Sequence, residues 1–258
     1  GGLGSPALLY LAAAGIGKIR VIDDDVVDES NLQRQVIHSE TEVGESKVKS
    51  ARRRLSALDS KIVIESIEER VCPENAERLL GGSDVVIDGT DSFEARYSIN
   101  DACKSLDIPW VFASVLRFEG QVSVFNYENG PNYRDLFPDP PPPELAPSCA
   151  DAGVLGAITG ILGSIQAAEA IKILLGIGET LSGRLLILDA MTMRTRILQI
   201  GLPEKEETGD VTQLRVNNSI SPSIQPVHLK SMIDDSVDFF LLDVRRADEE
   251  SIATIEET

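Results

Sequence analysis

Gly1-Gly2-Leu3-Gly4 opens the chain and runs directly into Ser5-Pro6-Ala7-Leu8-Leu9-Tyr10-Leu11-Ala12-Ala13-Ala14-Gly15. The apolar run predicts a helix closed by Gly15, and the next apolar stretch, Ile19 to Ile22, predicts a strand that leads into Asp23. A glycine turn, a helix, a strand and then an acidic residue about 20 positions on are typical of a nucleotide- or dinucleotide-binding βαβ unit. Glycines let backbone N–H groups approach a phosphate at a helix N-terminus, and the acid can reach a ribose hydroxyl.

The overall composition excludes several classes of partner. The 258 residues carry 24 basic and 42 acidic side chains, a formal net charge of −18, which disfavours nucleic acids and anionic membranes. A hydrophobic content of 42% is sufficient for a packed core. The three cysteines, Cys72, Cys103 and Cys149, form no CxxC pair, so we expect a reducing, cytoplasmic environment.

One apolar segment is close to the length of a membrane span. Residues 152–168 carry no charge, but a bilayer-spanning helix needs about 20 apolar residues. Gln166, Glu169 and Lys172 continue the same helical register among glycines and alanines. We therefore predict a closely packed helix of a soluble domain and no membrane insertion.

Strands alternating with helices along most of the chain predict an α/β fold, a Rossmann-like doubly wound sheet with parallel and antiparallel strands. We predict one domain over residues 1–201 and an acidic linker over 202–223. Residues 224–258 are predicted to be the N-terminal piece of a second α/β domain. A long loop with a proline run is expected over residues 126–148.

Several polar residues after the first strand sharpen the nucleotide-binding hypothesis. Arg34 and Lys47 are two cations close in sequence to a candidate phosphate loop in an otherwise acidic chain, and Asp91 follows a predicted strand end. Ligand groups of open α/β sheets lie at such strand ends. Taken singly, Arg34 could be a surface arginine, Lys47 a solvated helix lysine, and Asp91 part of a helix-capping turn in which Ser92 is the cap.

Together these motifs resemble the ThiF/MoeB/HesA family, the adenylyltransferases similar to ubiquitin-activating enzymes. The resemblance covers about residues 1–201. It rests on this order of motifs: Gly1-Gly2-Leu3-Gly4, Asp23, Ser30-Asn31-Leu32-Gln33-Arg34-Gln35, Lys47, Thr90-Asp91 and Arg117-Phe118-Glu119-Gly120-Gln121. Residues 239–245, which read FFLLDVR, resemble an early strand of a rhodanese domain. The chain is therefore similar to the MoeB–rhodanese fusion subgroup, and we expect it to be truncated at both ends, starting inside its own glycine fingerprint.

The resemblance implies ATP-dependent adenylation of a small ubiquitin-like sulfur-carrier protein that ends in Gly-Gly, in molybdopterin, thiamin or cysteine biosynthesis. It implies ATP and Mg²⁺ as cofactors and a homodimer as the assembly. The expected catalytic residues are Arg34, Lys47, Asp91 and Cys149, with Asp91 also holding Mg²⁺. The expected nucleotide-binding residues are Gly2, Gly4, Asp23, Ser30, Asn31, Leu32, Gln33, Arg34, Lys47, Asp91 and Ser92.

Two departures from the family pattern and one uncertain cysteine remain. The two CxxC pairs that bind a structural zinc in many relatives are missing, so no zinc is expected. Ser92 stands where asparagine is common, which shortens the reach of that nucleotide contact. Cys149 precedes a predicted helix and is a candidate for a thioester or persulfide link to the carrier, against the alternative of a small packing residue.

Two other functions stay open on sequence alone. An NAD-dependent oxidoreductase would use the same glycine loop and Asp23, but it would not need Arg34, Lys47 and Asp91 together. A dimeric scaffold that binds a ubiquitin-like protein without chemistry would tolerate both Ser92 and the incomplete glycine fingerprint.

Overall fold

A computed structural model of the chain describes residues 1–140 and 153–201. The chain divides into two compact units, Gly1–Lys205 and Glu206–Thr258, and every described residue belongs to the first. The predicted linker over 202–223, the predicted rhodanese-like piece over 224–258 and Cys149 all lie outside the described residues.

The first unit alternates strands and helices. Its strands are β1 (Lys18–Ile22), β2 (Val63–Ile67), β3 (Val86–Ile87), β4 (Trp110–Leu116), β5 (Glu119–Phe125), β6 (Arg184–Asp189) and β7 (Arg194–Gln199). Its helices are α1 (Gly4–Ala13), α2 (Lys47–Leu58), α3 (Ala76–Leu80), α4 (Phe93–Leu106), α5 (Tyr133–Leu136) and α6 (Gly156–Leu175), with short 3₁₀ turns at Glu29–Asn31 and Glu40–Glu42.

The strands form two sheets. Strands β1 and β2 pair in parallel, and the second sheet has the order β3-β4-β5-β6-β7. Its first pair is parallel and the remaining three pairs are antiparallel. The predicted combination of parallel and antiparallel strands in an α/β fold is therefore confirmed.

Helix α6 packs tightly against both α1 and the second sheet because small residues lie at its contacts. A methyl group on Gly163 would overlap the Leu3 carbonyl and the Pro6 ring, and one on Gly120 would overlap Leu162. By length and composition α6 could cross a membrane. It nevertheless buries Gln166 completely, and that side chain donates to the carbonyls of Asp88 and Val111. These contacts fit the predicted closely packed helix of the core.

The other side of the sheet packs on an aromatic cluster. Trp110, Phe112, Phe125 and Tyr133 are all fully buried and their rings lie 5.3–5.8 Å apart. Tyr133 belongs to α5, a short helix that interrupts the long loop predicted over residues 126–148. Asn132 caps this helix, because its side chain accepts a hydrogen bond from the Arg134 N–H. This cap stabilises a helical turn within a stretch whose residue types favour a loop.

Candidate functional site

The glycine loop meets the end of β3 at the start of α1. A Cβ atom on Gly1 would lie 2.9 Å from the Gly89 carbonyl oxygen, whereas one on Gly4 would meet no atom within 4 Å. No side chain caps α1 and its first turn holds no acidic residue. Within residues 1–140 and 153–201, the N–H groups of Leu3 and Gly4 have no acceptor. An uncapped helix N-terminus with open space beside Gly4 fits the close approach of a phosphate.

Asp23 lies at the C-terminal end of β1, beside this loop. Its Oδ2 atom is 3.8 Å from the Gly1 backbone nitrogen, and its Oδ1 atom accepts from the Asp25 N–H at 3.0 Å. One carboxylate oxygen is therefore engaged in the local turn while the other faces the loop. This geometry is compatible with the predicted ribose contact.

Lys47 begins α2 and is nearly buried, with 7% of its side chain exposed. Its Nζ atom lies 2.7 Å from Asp25 Oδ2. The hydrogen bond from Lys47 lowers the pKa of the Asp25 carboxyl group. An ammonium group has three N–H donors, so Lys47 could make the predicted phosphate contact either while it still binds Asp25 or after it leaves Asp25.

Arg34 lies directly under the glycine loop. Its Cγ atom would be 3.3 Å from a Cβ on Gly2, and its Nη1 atom donates to the Ser30 carbonyl at 3.3 Å. The guanidinium group makes no ion pair with any carboxylate of the part of the chain that the structure describes. As far as residues 1–140 and 153–201 show, Arg34 is thus a positive charge without an opposite charge beside the uncapped end of α1.

The side chains of the Ser30–Gln35 segment are occupied mainly with one another. Asp28 accepts from both the N–H and the hydroxyl of Ser30, and Asn31 Nδ2 donates to Ser30 Oγ at 3.0 Å. Buried Gln35 donates to Asn31 Oδ1 at 2.8 Å. This chain of hydrogen bonds holds the turn that carries Arg34, so the segment has at least a positioning role.

The remaining residues of the segment contact the chain's own backbone. Leu32 is half-buried behind the turn, and its N–H donates to the Glu29 carbonyl. Gln33 lies against the start of α6, where a Cβ on Gly156 would overlap its carbonyl oxygen. Direct nucleotide contacts by Ser30, Asn31, Leu32 and Gln33 stay predictions.

Asp91 and Ser92 follow β3 and have different environments. Ser92 Oγ accepts from the Ala95 N–H at 3.1 Å and caps α4, which confirms the predicted cap. Its predicted nucleotide contact stays a prediction. Asp91 is exposed, and its carboxylate makes no hydrogen bond or ion pair among the described residues. An exposed carboxylate without a partner suits a hard cation such as Mg²⁺.

Asp88 and Arg96 hold the Asp91 loop in place, and sequence reasoning did not single them out. Asp88 is completely buried, and burial raises the pKa of its carboxyl group against the opposing charge of Arg96. Its Oδ1 atom accepts from the N–H and the hydroxyl of Thr90, while Arg96 Nε lies 3.5 Å from Oδ2 and Nη2 donates to the Thr90 carbonyl. The sequence signal available for this pair was an acid at the end of a buried strand followed by an arginine in the next helix.

Three aspartates at the end of β1 offer an alternative place for a cation. Carboxylate oxygens of Asp23, Asp24 and Asp25 lie within 4.8 Å of one another. All three of these groups are engaged, because Asp23 accepts a backbone N–H, Asp24 pairs with Arg70 at 3.3 Å and Asp25 binds Lys47. Asp91 is therefore the better fit to the cation that the resemblance implies.

The structure brings most of the predicted residues to one place. Asp23 and Lys47 line the same small cavity, Arg34 lies against Gly2, and Gly89, two residues before Asp91, lies against Gly1. Cys149, the fourth predicted catalytic residue, lies outside the described residues. Two positively charged side chains, Arg34 and Lys47, lie near the N-terminus of α1, and together they suit an anionic phosphate chain. The carboxylate of Asp23 suits a ribose hydroxyl, and that of Asp91 suits a metal ion.

Comparisons with known proteins agree with this arrangement. A model described as the ThiF family matches residues 1–209. A probable adenylyltransferase/sulfurtransferase, MoeZ of Mycobacterium tuberculosis (strain ATCC 25618 / H37Rv), is 46% identical over 95% of this chain. The match covers 66% of the MoeZ length, just under two thirds. A sulfur carrier protein adenylyltransferase of Thermus thermophilus is 47% identical over 78% of this chain and 76% of its own.

A solved structure has the same fold. The crystal structure of E. coli MccB with ATP has a TM-score of 0.68 at 21% identity, and the match covers 79% of this chain and 62% of that one. At that identity the likeness supports a common Rossmann-like fold. The family assignment rests on stronger evidence, a family model that matches most of the chain and two relatives above 45% identity. This chain belongs to the ThiF family.

Proposed function

We propose that this protein adenylates the C-terminal carboxylate of a small ubiquitin-like sulfur-carrier protein ending in Gly-Gly, using ATP and releasing pyrophosphate. The observation that carries the proposal is that two groups able to bind a phosphate lie beside Gly2 and lack partners of their own among the described residues. Arg34 has no carboxylate partner there, and the N–H groups of Leu3 and Gly4 have no acceptor there. An NAD-dependent oxidoreductase would have no need for this excess of positive charge. Relatives named as adenylyltransferases of sulfur carriers support the same conclusion.

The proposed reaction needs charge neutralisation more than it needs a base. The carrier carboxylate is ionised near pH 7 and attacks the α-phosphorus of ATP. A carboxylate O–P bond forms, the bond from the α-phosphorus to the bridging oxygen breaks, and its electron pair leaves on pyrophosphate. An anion approaching an anion is repelled, so fixed positive groups lower the barrier.

Each residue takes a part that its position supports. Arg34 and the α1 amides hold the phosphate chain, and Asp23 accepts from the ribose. Lys47 adds positive charge on leaving or sharing Asp25. Asp91 would hold Mg²⁺, which when bound offsets the negative charge of the phosphates. Cys149 would act after adenylation, as the acceptor of the activated carrier.

We extend the proposal to a cytoplasmic homodimer. Ile161, Ala168 and Leu175 of α6 are spaced seven residues apart, so they lie on one helix face, and all three are exposed. Exposed apolar side chains in a line suit burial against a second copy. Sedimentation equilibrium should give twice the chain mass, and Ile161→Glu should give the single-chain mass. Free thiols at Cys72 and Cys103 fit a reducing compartment, which cell fractionation would test.

The deciding experiment is ATP–pyrophosphate exchange with Mg²⁺ and a panel of Gly-Gly-terminated carriers. Exchange that requires the carrier and disappears with a carrier lacking its last glycine would support adenylation. Cys149→Ser should retain exchange, because the thiol is needed only after the adenylate has formed. A folded protein that binds a carrier but exchanges no pyrophosphate with any of them would contradict the proposal and favour the scaffold.

A further inference from the structure

Thr90, the residue before Asp91, is held at every polar group that it has. Its N–H and its hydroxyl both donate to Asp88 Oδ1, at 2.8 and 2.7 Å. Its carbonyl accepts from Arg96 Nη2 at 3.2 Å. A turn in which an aspartate accepts from the backbone two residues on is already a fixed local conformation, and the arginine adds a second restraint. The backbone that leads into Asp91 is therefore fixed in position.

The two side chains that hold Thr90 form a buried pair of opposite charges. Asp88 is fully buried and Arg96 nearly so, and Arg96 Nε lies 3.5 Å from Asp88 Oδ2. The Arg96 guanidinium lies between the rings of Phe93 and Phe112, 5.6 and 5.5 Å from their centroids. Burying two charges costs desolvation free energy, so apolar side chains would stabilise this place at least as well. The pair is better explained by the groups of Thr90 that it binds.

The other neighbour of Asp91 is also fixed. Ser92 Oγ accepts from the Ala95 N–H at 3.1 Å, and the Ser92 carbonyl accepts from the Arg96 N–H at 3.2 Å. Asp91 thus lies between two restrained residues, while its own carboxylate is exposed and, within residues 1–140 and 153–201, makes no hydrogen bond or ion pair. A fixed backbone with a free carboxylate is the arrangement that a cation site requires.

We propose that Asp88 and Arg96 are positioning residues that set the affinity of Asp91 for a divalent cation, and that they act through Thr90. The proposal rests on the proposed function, since that function assigns the cation to Asp91. Removing the hydrogen-bonding partners that surround a metal ligand weakens metal binding by about 10–100-fold. Because Asp88 and Arg96 act through Asp91, their effect should appear in cation binding and be absent from nucleotide binding without a cation.

Two binding measurements without any carrier protein test this. Calorimetric titration with ATP in EDTA gives the nucleotide affinity without a cation. Electron paramagnetic resonance of free Mn²⁺, with protein in excess over ATP, gives the affinity of the protein–ATP complex for Mn²⁺. Arg96→Leu should bind Mn²⁺ about tenfold more weakly than wild type and bind ATP in EDTA within about twofold of it. Thr90→Val should weaken Mn²⁺ binding by about threefold, because it loses one of three hydrogen bonds.

Control variants separate positioning from a general structural effect. Arg134→Leu is the matched control, because Arg134 also pairs with an aspartate, Asp101, at 2.7 Å and lies over an aromatic ring, that of Tyr97, at 4.7 Å. It should keep both wild-type affinities. Thr90→Ser retains the hydroxyl and should do the same. In an Asp91→Ala background, adding Thr90→Val should weaken Mn²⁺ binding no further, because the ligand that Thr90 positions is already missing.

The outcomes distinguish this inference from the proposed function. Equal Mn²⁺ affinity in wild type and Thr90→Val would overturn the positioning role, and this comparison stands even if Arg96→Leu does not fold. A parallel loss of ATP affinity in EDTA, or a further loss in the double variant, would also overturn it. No binding of ATP to the wild-type protein would overturn both proposals. The expected Mn²⁺ pattern without pyrophosphate exchange would remove the adenylation and leave the positioning role standing.

Discussion

Two cavities of the first unit differ in size and in chemistry. One, of about 580 Å³, lies where β5 ends and β6 begins, and is formed by the turns around Tyr127, Gly130 and Arg184. The other, of about 20 Å³, lies beside Gly1 and Asp23, close to the opposite end of the sheet, where β3 ends. The wide cavity is polar, but its main polar side chains are satisfied internally, since Arg184 donates to the Thr180 carbonyl and Ser182 to the Tyr127 carbonyl.

The small cavity is flanked by groups that lack partners. Among the described residues, Arg34 has no carboxylate partner and the N–H groups of Leu3 and Gly4 have no acceptor. A charge or polar group without a partner costs free energy unless a ligand binds it. A group that already has a partner adds little to the binding free energy of a ligand. We therefore take the end of the first unit that carries the small cavity as the candidate functional end, because unpaired charge gives a ligand more to bind than volume does.

The largest expected effect comes from replacing one arginine by alanine beside each of the two cavities and comparing the two variants. Arg34→Ala should reduce the rate of ATP–pyrophosphate exchange by about 100-fold, because one preorganised positive group beside the phosphates is lost. Arg184→Ala should leave the rate within about twofold, since its guanidinium is engaged locally. Initial-rate measurements and a thermal melt of both variants make the comparison. Equal loss of exchange in the two would show that the wide cavity takes part in the chemistry.

Replacing one glycine by alanine beside each cavity should give a smaller effect that again differs between the two cavities. A Cβ on Gly2 would lie 3.2 Å from the Thr159 side chain and 3.3 Å from Arg34 Cγ. Gly2→Ala should therefore shift Arg34 by a few tenths of an ångström and weaken apparent ATP affinity by about tenfold. Titration of exchange against ATP concentration gives that affinity.

Gly130→Ala is the counterpart at the wide cavity. Its Cβ would overlap Ser182 Oγ and lie 2.8 Å from the Tyr127 carbonyl oxygen. The change should lower the free energy of unfolding by about 1–3 kcal/mol without altering ATP affinity. Loss of affinity in Gly130→Ala together with normal affinity in Gly2→Ala would reverse the comparison.

The smallest effect concerns the pH dependence of stability at the functional end. The pKa of Glu42 is about 2 in the folded protein against an ordinary value of 4.5. A lowered carboxyl pKa stabilises the fold above pH 4.5, and that contribution is lost as the pH falls through 2. The difference in free energy of unfolding between wild type and Glu42→Gln should therefore be full at pH 6 and smaller at about pH 3.5 by urea denaturation.

Glu45→Gln is the control for this measurement. Its carboxylate contacts the same Arg53 at 2.6 Å but is 44% exposed, so the change should cost less than about 1 kcal/mol at either pH. A pH-independent cost in Glu42→Gln would contradict the hydrogen bonds from Arg53 and Ser39 as the reason for the lowered pKa of Glu42.

The local sequence determined the parts of the fold that have short-range signals. Gly1 to Gly15 predicted α1, Ser92 predicted the cap of α4, and both are observed. The helical register that includes Gln166 and Glu169 predicted a core helix, and α6 is one. These features follow from turn, cap and periodicity rules that act over a few residues. The motif order likewise selected the ThiF family without any structure.

Only the tertiary structure decided how charges and hydrogen bonds are shared between distant segments. The family resemblance predicts a phosphate contact for Lys47, and the fold in addition pairs this nearly buried lysine with the more exposed Asp25, 22 positions earlier in the chain. Asp88 and Arg96 became visible as the support of the Asp91 loop, and His38 Nδ1 lies within hydrogen-bond distance of Ser50, 12 positions later in the chain. Each depends on burial and on atoms brought to hydrogen-bond distance by the fold, and neither quantity can be read from residue types or spacing.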